Sequence, residues 1–125
     1  MIGTLLQVAL GGAMGASLRY IVNVAVMRGV GPGFPWATVF VNVTGSFAMG
    51  ALVVILAKKG GTHLAPFLMT GILGGFTTFS AFSLDAVTLW ERGASMAATA
   101  YVLGSVVVSI GALVAGMAVM RGVLA

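Results

Sequence analysis

The sequence predicts an all-α membrane protein of four spans. Three observations carry that reading. Only 6% of the residues are charged against 60% apolar, the mean hydropathy is +1.16, and the apolar residues fall into four long runs parted by short turns rich in glycine and polar residues. A soluble domain carries roughly 25% charged residues, so this chain has too little charge to cover a globule in water. About 20 apolar residues cross a hydrocarbon core of about 30 Å. Residues 1–125 therefore read as one integral membrane domain, with connections too short to hold a soluble one.

The first span, Leu5–Met27, carries Arg19 toward its far end. It does not read as a cleaved signal, because such signals open on a basic stretch and no Lys or Arg precedes Arg19. Residues 28–35 then hold three glycines and two prolines, which cannot continue a helix. The second span, Trp36–Ala57, opens on a tryptophan and closes on Lys58 and Lys59, both typical of a membrane–water boundary. A turn, Gly60–His63, leads to the third span, Ala65–Trp90, which ends at Glu91, Arg92 and Gly93. The fourth, Met96–Met120, stops at Arg121 and Gly122.

Composition excludes several functions. With no cysteine there is no disulfide, thiolate metal site or cysteine nucleophile. The one histidine, His63, lies in a turn. Six Lys/Arg scattered over span boundaries form no basic patch, so the +4 charge does not indicate a nucleic-acid partner.

An even number of crossings puts Lys58, Lys59 and Arg121 on one side, with Arg28, Arg92 and a snorkelling Arg19 on the other. Cationic loops choose the cytoplasmic side only when one side has more of them. The near tie fits either a weak signal or a chain that inserts both ways and pairs with an inverted copy. Small residues four apart let helix backbones approach, and they recur at Gly11/Gly15, Ser46/Gly50, Gly71/Gly75 and Ala112/Gly116. Four thin helices make a poor conduit alone, which points to an oligomer.

Polar groups at lipid depth tend to face a bundle interior or a wet path. Thr38, Asn42 and Ser46 share one face of the second span, and Tyr101, Ser105 and Ser109 one face of the fourth. In the third, Thr77, Ser80 and Ser83 alternate with Phe76, Phe79 and Phe82. Any one stripe is explained by hydroxyls bonding back to their own helix; three together favour a shared path. The acids, Asp85 and Glu91, come late in the third span, whereas a proton or cation route places carboxylates at depth. Hydroxyls, an amide and the positive edges of aromatic rings suit a small anion instead. The Gly74–Gly75 pair predicts an interrupted third helix. Its freed carbonyls either bond the Thr77 or Thr78 hydroxyls or hold a monovalent cation.

These residues resemble a known family. Gly74-Gly75-Phe76-Thr77-Thr78-Phe79-Ser80-Ala81-Phe82-Ser83, with Asp85 beyond, is similar to the signature of the Fluc/CrcB fluoride channels. Gly11–Tyr20 resembles that family's first helix with its arginine, and Thr38–Ser46 its second-helix asparagine segment. The resemblance spans all four helices and implies a dual-topology antiparallel homodimer in the cell's inner membrane, with two fluoride pores that relieve fluoride toxicity by passive export. It implies that Phe79 and Phe82 meet fluoride with their ring edges. By the same resemblance Asn42 matches the pore asparagine, and Thr38, Ser80 and Ser83 match polar groups near the track. Ser105, Ser109 and Tyr101 fall on a fourth-helix track whose members vary. Gly74 and Thr77 match residues whose backbone carbonyls hold a structural Na⁺ on the dimer axis, and Arg19 matches an arginine that keeps the vestibule positive. Asp85 stands where many members have glutamate. No bond is made or broken in such a function, so the expectation is a channel and not an enzyme. A proton-coupled multidrug exporter is the rival reading, but it needs an acid in the first helix, which is absent. A non-transporting assembly subunit, the other, leaves the polar stripes unexplained.

Overall fold

The computed structural model describes residues 1–125, all helices and turns with no strand. Helix α1 runs Ile2–Gly29 and α2 Trp36–Lys59. A short 3-10 turn, Thr62–Leu64, leads into α3 (residues 66–76), whose wide π-type stretch Pro66–Leu73 narrows to α geometry at Gly74–Phe76. Helix α4 is Ser80–Glu91 and α5 is Ser95–Val123. Taking α3 and α4 together with the 3-10 turn as Thr62–Glu91, four segments are long and apolar enough to cross a membrane.

Each turn is set by local chemistry. Gly60 (φ 80°) and Gly61 (φ 81°) end α2 in a left-handed bend that a side chain would resist. Pro66 stands at the start of α3, where its missing N–H costs nothing.

The helices pack as two close pairs, α1 along α3 and α2 along α5. A Cβ on Gly71 would sit 2.9 Å from the Gly11 Cα, and one on Gly75 would sit 2.8 Å from the Gly12 carbonyl oxygen. Likewise Gly50 faces the backbone of Leu113, and Gly116 that of Phe47. The close approach that the small-residue spacing predicts is thus made inside one chain, at Gly11, Gly15, Gly50, Gly71, Gly75 and Gly116. Backbone contact of this kind replaces the hydrophobic drive that is missing between helices in lipid.

Only 16 of 125 residues are buried in the single chain, so most of its apolar surface is left for lipid or another protein. The one contiguous core is Phe82, Leu89, Ala98 and Tyr101, where α4 meets α5. The glycine pair of the third span does not itself interrupt the helix. Gly74 and Gly75 are helical, and the non-helical residues are 77–79, with Thr77 extended at φ −84°, ψ 159°. The pair serves close packing on α1, and the chain leaves the helix three residues later.

Candidate functional site

Residues 77–79 are held by side chains from two other helices. The amide of Asn42 on α2 grips Thr78 twice: the Thr78 N–H donates to Oδ1 at 2.8 Å, and Nδ2 donates to the Thr78 carbonyl at 3.0 Å. Arg19 on α1, half-buried, donates from Nε to the Gly75 carbonyl at 3.1 Å. The Thr77 hydroxyl donates back to Leu73 at 2.9 Å, and the Thr78 hydroxyl accepts the Ala81 N–H at 3.1 Å, capping the first turn of α4. The Thr77 N–H goes to Leu73 and that of Thr78 to Asn42. The carbonyls of Gly74 and Thr77 therefore receive no main-chain donor. Of the carbonyls that a continuous helix would have paired, side chains take those of residues 75 and 78, and those of 74, 76 and 77 are left without a donor.

Beside this segment lies a groove of about 410 Å³ between α2 and α5. Asn42, Ser46, Phe79, Phe82, Ser105 and Ser109 are among its walls. No acid lines it. Phe79 and Phe82 stand 5.5 Å apart with their planes at 45°. Phe79 is 77% exposed in the single chain, while Phe82 is buried at 8%. Their places follow from the break, which turns Phe79 outward and leaves Phe82 inside the first turn of α4. Phe76, on the same stripe by spacing, is instead buried against Gly45.

Ser105 is the most informative wall residue. Its hydroxyl oxygen is fully buried, yet no group in the chain bonds to it. A buried hydroxyl without a partner is costly, and helical serines normally avoid the cost by bonding the preceding turn. Ser83 does so, donating to the Phe79 carbonyl at 2.9 Å. Ser83 and Ser80 do not line the groove; Ser80 lies 3.5 Å from the Thr78 hydroxyl.

Two stripes divide at one depth. Thr38 and Tyr101 share faces with Asn42 and Ser105, but both donate to Oδ2 of Asp85, at 2.7 and 3.0 Å. Phe82 separates this knot from the groove, its ring 5.2 Å from Tyr101. So the structure brings together Asn42, Phe79, Phe82, Ser105 and Ser109. It gathers Thr38 and Tyr101 around Asp85, and sets Arg19, Gly74 and Thr77 at the interruption. Of the two hydroxyls that the sequence offers to the interruption, Thr77 donates to the Leu73 carbonyl and Thr78 instead accepts the Ala81 N–H; the grip of Asn42 on the Thr78 main chain has no signal in the sequence beyond the polar stripe.

Four helices able to span a membrane, with a groove that no carboxylate lines, define a multi-pass membrane protein, and comparison with known proteins narrows the class. A family model described as "CrcB-like protein, Camphor Resistance (CrcB)" matches residues 6–117. The chain is 66% identical to the "Fluoride-specific ion channel FluC" of Cereibacter sphaeroides over 125 residues, the full length of both. It is 60% identical to the protein of that name from Paracoccus denitrificans (98% of both chains) and 49% identical to that of Rhizobium meliloti (96% of this chain, 98% of the other). The chain belongs to the CrcB family.

Proposed function

We propose that the protein is a fluoride-selective channel that lets fluoride leave the cell passively across the cytoplasmic membrane, relieving its toxicity. The observation that carries this is the unpartnered Ser105 hydroxyl, buried in a groove walled by Asn42 and two phenylalanines. A small, strongly hydrated anion loses its water only where donors replace it at fixed positions. Ser105 offers an uncommitted hydroxyl. Asn42 offers the second hydrogen of Nδ2, since the first is held by Thr78. The ring edges of Phe79 and Phe82 add the positive rim of their quadrupoles. With no carboxylate on the wall, the groove does not repel an anion or hold a cation. Export needs no chemical step, so the protein works as a channel and not an enzyme.

The working unit in this reading is an antiparallel homodimer inserted in both orientations, with two pores shared between subunits. Support comes from the near tie of boundary cations and from the exposure of Phe79, a groove-lining ring left uncovered in the single chain. The interruption at residues 77–79 would lie near bilayer mid-depth, where a backbone carbonyl needs a partner. Gly74 and Thr77 suit a structural Na⁺ there: both offer hard carbonyl oxygens that no N–H of the main chain claims. Bound between two copies, the ion would supply positive charge to those carbonyls and tie the subunits together.

The test is efflux from liposomes loaded with fluoride and holding the purified protein. Release within seconds of adding a K⁺ ionophore, with chloride retained, is the expected result. No release, or equal release of chloride, overturns the reading.

A further inference from the structure

The geometry points to a second task for Asn42: it is the positioning residue that keeps the Gly74 carbonyl free, so the anion groove and the proposed cation site share one amide. In an uninterrupted α-helix the N–H of residue 78 would donate to the carbonyl of residue 74, and the carbonyl of 78 would accept from residue 82. Neither bond forms. Asn42 takes both ends of the Thr78 peptide unit, at 2.8 and 3.0 Å. The side chain thus stands in for a neighbouring strand of main chain, presented from a helix 36 residues away.

Asparagine is the residue suited to this. Its short planar amide carries one acceptor and one donor head on the same edge, matching an N–H and a C=O on a single residue. Aspartate has no donor, serine a single atom, and glutamine an extra methylene. The orientation of the amide is fixed by its partner, because the Thr78 N–H requires oxygen and the Thr78 carbonyl requires nitrogen. What remains of Asn42 is one N–H on the groove it lines. Each grip has a consequence: the acceptor withdraws the donor that would close Gly74, and the donor head leaves one hydrogen for the anion. Removing the side chain therefore damages the cation site as well as the path.

This inference rests on the cation reading above, and its test separates the two. The first measurement is the sodium midpoint for thermal stabilisation of the purified full-length protein, with N-methylglucamine replacing sodium, in wild type and Asn42→Ala. The second is the backbone ¹³C shifts of Thr77 by NMR in the same samples. Asn42→Ala should raise the sodium midpoint by about ten-fold or more, the usual cost of losing a group that orients a metal ligand, and should move Thr77 out of its extended shifts. An unchanged midpoint together with unchanged Thr77 shifts overturns the inference. If wild type shows no sodium dependence, the cation link fails, and the Thr77 shifts still decide whether Asn42 holds the segment. A readout in wild type covers the case of a variant that does not fold. One Asn42 side-chain amide proton should exchange slowly and ignore added fluoride, while the other shifts with it. Two protons that exchange alike and shift together would contradict the arrangement.

Discussion

Tyr101 on α5 donates its hydroxyl to Oδ2 of Asp85 on α4 at 3.0 Å, and Thr38 on α2 donates to the same oxygen at 2.7 Å. One carboxylate therefore ties three helices at the rim of the groove and draws two hydroxyl protons away from it. Tyr101→Phe removes one donor and keeps the ring against Phe82, so it should cost about 1 kcal/mol, in the range of interhelical hydrogen bonds in membranes. Asp85→Ala strands both hydroxyls and should cost more, about 2 kcal/mol. Thermal unfolding in detergent checks the order. Fluoride flux should fall less in Tyr101→Phe than in Phe82→Ile, since the hydroxyl points to the acid and the Phe82 ring faces the groove.

Ser105 predicts effects of opposite sign. Its buried oxygen lacks any partner in the chain, so Ser105→Ala removes an unsatisfied group and should stabilise the protein by up to about 1 kcal/mol. The same change deletes a donor from the path and should slow fluoride efflux. A variant that is both less stable and equally fast would show the hydroxyl to be ordinary packing.

Phe79 offers the cleaner ring test. At 77% exposed it supports little of the single chain's core, so Phe79→Ile should leave the subunit folded. Loss of the ring edge should slow fluoride efflux by about ten-fold, equivalent to about 1.4 kcal/mol on the barrier. Efflux in liposomes, with circular dichroism as the folding control, measures both.

The glycine seams predict which substitutions the fold refuses. Gly75→Ala would press a methyl to 2.8 Å from the Gly12 carbonyl oxygen and should destabilise by about 1–3 kcal/mol, the usual cost of overpacking. Gly122→Ala meets nothing within 4 Å and should be neutral or stabilise by up to about 1 kcal/mol through helix propensity. Thermal denaturation of the two variants side by side gives the comparison.

The four spans were legible because lipid depth demands long apolar runs, and the runs at 5–27, 36–57, 65–90 and 96–120 are uninterrupted by charge apart from Arg19 and Asp85. The gathering of Asn42, Phe82 and Ser105 was legible only as stripes. Spacing says which residues share a helix face, but not where along that face a neighbour's carboxylate intervenes. Thr38 and Tyr101 therefore looked equivalent to Asn42 and Ser105 until Asp85 was seen to claim them. The helix interruption was expected at Gly74–Gly75, since glycine is the weakest helix former there. Packing reversed that reading: the glycines let α3 touch α1, and the helix ends at Phe76, where Asn42 can satisfy Thr78 instead. The small-residue pairs were visible as contact surfaces, but pattern alone does not say whether the partner is the same chain.

The central claim is that hydroxyl, amide and ring-edge donors of this groove stand in for the water around fluoride and for that of no larger halide. Its most direct measurement is the reversal potential of the purified protein in a planar bilayer with fluoride on one side and chloride on the other. The account predicts a potential set by fluoride alone, unmoved when the chloride is replaced by gluconate. A potential near zero, or one that follows chloride, would contradict it.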